Sequence, residues 1–209
     1  VRALRVNIFR TSLTLLGIII GVAAVITMLA VGNGSKQKVI DQISAMGTNL
    51  LSVRPGAPGM RPTGDVATLT MDDAKALEGL DNVEVVVPER ETSKTVRFGN
   101  VDSQTTITAV SSGFPVARDW AVERGSFFTL PDLNAYTTVA VIGSTVADAL
   151  FPLGQDPIGK YILIGNIPFE VIGVMKTKGA NPMGRDQDNA VFVPISTALV
   201  RLFGNNYLN

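Results

Sequence analysis

LTLLGIIIGVAAVITMLAV, residues Leu13 to Val31, decides how the chain is read. It is a run of about nineteen residues without a charge, and charge stays absent from Thr11 to Ser35. At 1.5 Å rise per residue, a helix of this length crosses a hydrocarbon core of about 30 Å. In lipid the backbone must satisfy its own hydrogen bonds, so the stretch is expected to be helical. The remainder of the chain reads as a water-soluble body, giving one membrane helix that carries a large extramembrane domain.

Other readings compete with a spanning helix. A core helix of a soluble protein is rarely apolar on every face over such a length. A cleavable leader finds support in Arg2, Arg5 and Arg10, which make a basic lead-in. Leader cores usually run about 7–15 residues, however, and Ala30-Val31-Gly32 is a poor cleavage triplet. A tether with no further role stays open. Lys36 and Lys38 lie just past the span, with Asp41 close behind, so the positive-inside rule points the N-terminus into the cytoplasm by a thin margin.

The 209 residues carry 18 Lys+Arg and 18 Asp+Glu, a formal net charge of zero. No basic block is present, which argues against nucleic acid as a partner. There is no Cys, which excludes disulfides and thiolate metal sites, and no His, the commonest general base and metal ligand.

Within the span, Gly17 and Gly21 form a GxxxG pair of the kind that lets two helices approach closely; the bland reading is that Gly is common in membrane helices. Gly32-Asn33-Gly34 comes next, where the helix breaks, bends or runs through; sequence alone leaves all three open. From Ser35, the residues Val39, Ile40, Ile43 and Met46 fall on one helical face, and Gly47 is a credible C′ residue. The pattern predicts an amphipathic stalk of roughly 18 Å.

Asn49 to Val53 reads as a strand, and the Pro- and Gly-rich residues 55–65 as a loop. Thr70 is an expected N-cap with Asp73 completing a capping box, and Ala74, Leu77 and Leu80 give the helix its apolar face. Val83 to Val87 is predicted to be a buried strand, completing strand, helix, strand. Thr92 to Phe98 and Val101 to Val110 form a hairpin about Gly99-Asn100, its second arm expected to be half exposed. A short helix surrounds Phe114-Pro115; Trp120 is read as a packing anchor in preference to a recognition aromatic; Glu123 to Ser126 is a turn. Then come a strand at Val139 to Ile142, a helix at Thr145 to Phe151, a hairpin of Tyr161 to Ile164 with Phe169 to Val174, a strand at Ala190 to Val193 and a helix at Ser196 to Phe203. Lys176 to Asn189 is a polar loop of a length that is usually mobile or functional.

No catalytic constellation stands out. Gly32-Asn33-Gly34-Ser35-Lys36 lacks the spacing of a phosphate loop and is preceded by an apolar span where a strand should be. Ser35-Lys36 and Ser93-Lys94 are adjacent pairs that do not face one another. Asp186 and Asp188 alternate and could hold a hard cation, but no third carboxylate is near in sequence.

Several stretches together resemble one family: GIIIGVAAVITMLAVGNGSKQKV, GTNLLSVRPG, VIGSTVADALFP, DPIGK, FEVIGV and the final P-S-T-LFG run. In this order they are similar to MacB-type ABC transporter permeases of the MacB/FtsX-like superfamily, over nearly the whole chain. The resemblance implies an α+β fold. A single N-terminal transmembrane helix (1–32) with a stalk (33–48) would lead to a periplasmic α/β region. That region would comprise a porter-like βαβ unit (49–110) and a small mixed α/β, sabre-like part with a return segment (111–209).

The resemblance also implies a permease segment in the cell inner membrane, with the residues after about 35 periplasmic. It would transmit ATP-driven dimer motion to export small molecules that are macrolide-, siderophore- or peptide-like. The chain would carry no catalytic residue, cofactor or metal; ATP and Mg belong to an associated ATPase domain, fused or separate. A homodimer partner, a periplasmic adaptor, an outer-membrane channel and the lipid bilayer are the implied partners. The candidate residues are Gly17 and Gly21 for helix packing and Val39, Ile40, Ile43 and Met46 for the stalk face. Met183, Arg185 and Asp186 form a candidate contact loop for adaptor or substrate. The alternative within the superfamily is an FtsX-like protein that relays force to cell-wall hydrolases. An anchored enzyme, using carboxylates alone, is the third reading.

Overall fold

The apolar run lies inside one helix, α1 (Ile8–Ser44), of 37 residues and about 55 Å. This computed structural model describes residues 8–44, 50–56, 69–181, 183–204 and 207–208. Side chains of residues 12–37 are exposed all round the helix, and Phe9–Gln37 is long and apolar enough to cross a membrane. The hydroxyls of Thr14 and Thr27 donate to the carbonyls of Arg10 and Ala23 one turn back, each at 2.8 Å, so they need no outside partner. Gly32-Asn33-Gly34 neither breaks nor ends the helix. The division expected between span and stalk at 32/33 therefore falls within continuous α-helix.

The chain divides into two units, Val1–Met46 and Gly47–Asn209. In the second, α2 (Met71–Glu78) starts as its sequence predicts. The Thr70 hydroxyl accepts from Asp73 N at 3.4 Å, and Asp73 Oδ2 accepts from Thr70 N at 2.8 Å. The strands expected on either side of α2 are not strands. Residues 50–54 and 83–88 have no regular structure and no ladder partners among the described residues, Asn49 lying outside them. Val86 and Val87 pack on the rim of the core, and Val85 lies over Gly113. Pro88, with no N–H to give, separates this segment from the ladder beginning at Glu89.

The sheet is built from β1 (Glu89–Phe98), β2 (Val101–Val110), β3 (Val122–Gly125), β4 (Val139–Ile142), β5 (Tyr161–Ile164), β6 (Ile167–Met175) and β7 (Ala190–Pro194). Their order is β3-β6-β4-β7-β2-β1-β5, and β5 also pairs with β6, so the sheet closes into a ring of six strands with β3 added to β6. β1 and β2 pair antiparallel from Glu89↔Val110 to Phe98↔Val101, the two-residue turn falling at Gly99-Asn100. β2 pairs parallel with β7, so one sheet crosses residues 110 and 111, where the porter-like and sabre-like parts were expected to meet.

Two expectations for these strands need correction. β2 is exposed only in its first half; Ile107, Ala109 and Val110 are fully buried and Thr105 and Thr108 nearly so. It lies between β1 and β7 with both faces covered, and the alternation of Thr with apolar residues hid this. Residues 123–125 belong to an edge strand and not a turn, the charged side chains of Glu123 and Arg124 suiting an open edge.

One face of the sheet packs on α5 (Ser144–Leu150), where Val146 and Leu150 are fully buried, and the Phe151 ring lies tilted against Phe98 with centroids 4.2 Å apart. Next to β7, the rings of Phe114 and Trp120 meet Phe192 at 4.9 and 5.4 Å, with Phe127 alongside. Trp120 is buried, the packing anchor it was read to be. Phe114 belongs to α3 (Phe114–Ala117). α4 (Leu130–Asn134) and the turn after it are pinned to α6 (Ile195–Ala198): Ser196 Oγ donates to Leu133 O and Thr197 Oγ1 to Thr137 O. α6 runs on as a π-helical turn, Leu199–Phe203, and stops at Gly204 in the left-handed region. Each large apolar side chain so buried contributes roughly 1.5–3 kcal/mol.

Candidate functional site

Two features could carry function: the open faces of α1 and the loop of residues 176–189. On α1, Gly17 and Gly21 lie one turn apart on one face, and a Cβ at either would meet nothing within 4 Å. That face is open to a neighbour. Val39 and Ile40 of the predicted stalk face are on the helix and exposed. The Ile43 side chain and all of Met46 lie outside the described residues.

The 176–189 loop is anchored along most of its length. Its organiser is Asp188, a carboxylate only 2% exposed that accepts from Lys178 N at 2.9 Å and Gly179 N at 2.8 Å. Asp188 comes so near Gly143 that a Cβ there would collide with its carbonyl oxygen. Glycine is therefore required at 143 by close backbone approach. At the start of the loop Trp120 Nε1 donates to Lys176 O, and Thr177 Oγ1 donates to Ser144 Oγ at 3.0 Å. Lys178 Nζ donates to Arg118 O at 2.9 Å and lies 5.1 Å from the Trp120 ring centroid. Burial, helped by the Arg118 cation, lowers the pKa of this ammonium, with Asp119 and Asp188 opposing.

The three candidate contact residues have separate fates. Asp186 is exposed but bonded, accepting from Thr145 Oγ1 at 2.8 Å and from Asp188 N at 2.9 Å. Arg185 reaches sideways to Thr106 Oγ1 at 3.0 Å, with Glu91 at 3.9 Å. Met183 alone projects, 94% exposed, beside a turn in which Asn181 Oδ1 accepts from Met183 N and Arg185 N. The oxygens of Asp186 and Asp188 thus accept from the loop and from Thr145 of α5, and among the described residues no group of three or more ligating side chains is placed to hold a metal. Sequence reasoning missed Asp188 as organiser and Gly143 as its seat; the signal for the first was an acidic residue just before an apolar strand.

A small ionic group lies next to the loop. Arg118 bonds Glu89 at 2.9 Å. Burial raises the pKa of Glu91, with repulsion from Glu89 adding to it and Arg185, Arg118 and Arg54 opposing. Such groups hold loops in place; nothing in this arrangement pairs a nucleophile with a base.

Comparison with known proteins identifies the family. The macrolide export ATP-binding/permease protein MacB of Azoarcus sp. is 58% identical over 207 residues, which are 99% of this chain and 31% of that protein. The pyoverdine export ATP-binding/permease protein PvdT of Pseudomonas savastanoi pv. phaseolicola is 43% identical over 98% of this chain and 31% of its own length. The crystal structure of the periplasmic region of MacB from Actinobacillus actinomycetemcomitans shares the fold, with a TM-score of 0.68 at 22% identity over 82% of this chain and 77% of that one. The chain spans about a third of the length of the curated relatives it matches. The family model of the MacB-like periplasmic core domain matches residues 11–209. The chain belongs to the MacB-like periplasmic core domain family.

Proposed function

We propose that this chain is a non-catalytic permease segment of an ABC-type exporter that passes movement from membrane to periplasm. The observation that carries the reading is α1, which continues as helix beyond the residues needed to cross a bilayer. A continuous helix transmits displacement along its axis in a way that a loop would not. The relatives named for macrolide and pyoverdine export support small molecules of those kinds as cargo, and peptide-like molecules are a further class within the proposal. In this reading the N-terminus faces the cytoplasm and the domain after α1 faces the periplasm of an inner membrane. Two copies pair through the Gly17–Gly21 face and the stalk face, and ATP with Mg is bound by an ATPase domain outside these residues. The anchored loop around Met183 contacts the adaptor or the cargo, and an outer-membrane channel completes the route.

The test uses the complete transporter with cysteine placed at Val39 or Ile40, in a chain whose sequence has no cysteine of its own. Disulfide cross-linking between copies is expected to change between nucleotide-free and ATP-bound states. Equal cross-linking in both states would count against a moving stalk. Altered cell separation with unchanged efflux on deletion would favour the FtsX-like alternative. Hydrolase activity lost on mutating a carboxylate would favour an enzyme.

A further inference from the structure

We infer that Gly32-Asn33-Gly34 is a hinge in α1, at the place where the helix leaves the membrane. The inference rests on the membrane-spanning reading proposed for α1.

The three residues are helical, yet a Cβ at Gly32 or Gly34 would meet nothing within 4 Å, so within this chain alanine would fit at both. Neither glycine has the positive φ that would demand it. They are two positions apart, hence about 200° apart around the helix, and one neighbouring helix cannot lie against both. This separates them from Gly17 and Gly21, which share a face. What Gly32 and Gly34 have in common is a soft backbone: each favours opening of its turn about fivefold over alanine, and the pair roughly twenty-fivefold.

Position decides whether that softness is expressed. Around Gly17 and Gly21 the backbone would be surrounded by hydrocarbon, where a broken hydrogen bond finds no replacement. Ser35 and Lys36 come immediately after the second pair, so water can reach its peptide groups. The same residue is thus stiff in one place and compliant in the other. The helix on either side stays a rod, and bending concentrates at residues 32–34. Such a joint lets the stalk change its tilt while displacement along the axis still passes through residues 32–34, which stay helical.

The test is pulsed electron–electron distance measurement on the full chain in lipid nanodiscs, diluted with unlabelled chain. One spin-label pair, at Val25→Cys and Ile40→Cys, straddles the hinge. A control pair of equal sequence separation, Phe9→Cys and Ala24→Cys, does not. Both pairs correspond to a backbone separation of about 22 Å in a straight helix. The hinge predicts a broader distribution for the first pair, narrowing to the width of the control when G32A and G34A are added together. The bent population should fall about twenty-fivefold. Equal widths in the parent chain would overturn the inference, and so would breadth that survives the double substitution. Both substitutions favour helix, so misfolding is not the expected failure. Neither result depends on export, whereas loss of the membrane-spanning reading would show as labels that are not bilayer-embedded.

Discussion

Replacing Asp188 by alanine removes the acceptor for two backbone N–H groups, those of Lys178 and Gly179, from a place where the carboxylate is almost wholly buried. Hydrogen bonds to a charged group contribute about 1.5–3 kcal/mol each, and a donor left unpaired in a buried site costs a similar amount. Lys178 is only part buried, so water recovers some of the loss, and about 3 kcal/mol is a reasonable total. For a domain of this size that corresponds to a fall in Tm of about 6–12 °C. Asp188→Asn keeps one acceptor oxygen and should lose about half as much. The assay is thermal unfolding of the whole chain in detergent, monitored by near-UV circular dichroism, together with amide exchange at residues 178 and 179. Both amides should lose protection in Asp188→Ala before the rest of the sheet does. A Tm unchanged within about 1 °C, with both amides still protected, would refute the reasoning, because those N–H groups would then be held by something else.

Gly143→Ala forces its Cβ against the Asp188 carbonyl, where no flexible side chain can give way, and is expected to cost about 3 kcal/mol or more, read as a Tm fall at least as large as that of Asp188→Ala. Glu91→Gln should raise stability at pH 7. The pKa of Glu91 is raised chiefly by burial, so the folded state binds its proton more tightly than the unfolded chain does, and stability falls as pH rises from the ordinary glutamate value through the raised one. Melting curves at pH 4 and 7 check this, since the gain should vanish at the lower pH. Asp73 and Asp132 act with the opposite sign. Hydrogen bonds from Thr70 and Thr129 lower their pKa values, so their capping is complete above the ordinary aspartate value and lost as pH falls through the lowered ones. Asp73→Asn should therefore flatten the acid limb of the stability–pH curve, and an unaltered limb would show that the cap carries no charge-dependent stability.

The parts of the fold that were legible in the sequence are those set by local chemistry. Thr70 and Asp73 marked a helix start through a reciprocal pair of hydrogen bonds, and Gly99-Asn100 set a hairpin whose register is dictated by a two-residue turn. The same Thr-x-x-Asp pair recurs at Thr129 and Asp132, yet α4 has five residues, too few for a periodic apolar face to show. Pairing between distant segments was not legible. Val83 to Val87 has the composition of a buried strand, but a strand exists only where a partner supplies the other half of its hydrogen bonds. β2 was misjudged for the converse reason, since parallel pairing with β7 some eighty residues later buries a strand whose threonines read as exposed.

At the candidate site the limit was similar. Length and polarity marked residues 176–189 as a loop with a role, and Met183, Arg185 and Asp186 were grouped by adjacency. Adjacent residues in an irregular segment need not do the same thing: all three are exposed, but Met183 projects furthest, while Arg185 and Asp186 also bond to β2 and α5. The stalk was legible as an apolar spacing; whether it continued the span was not, because two glycines weaken a helix without forbidding it.

The most direct test of the account is a spin-label accessibility scan along α1 in bilayers, one cysteine at a time from Phe9 to Ile40. The account predicts high oxygen and low water-soluble nickel access over about twenty consecutive positions ending near Val31, then rising nickel access beyond Lys36 with the label still at helical mobility. Nickel access throughout, or a mature protein from which these residues have been removed, would contradict it.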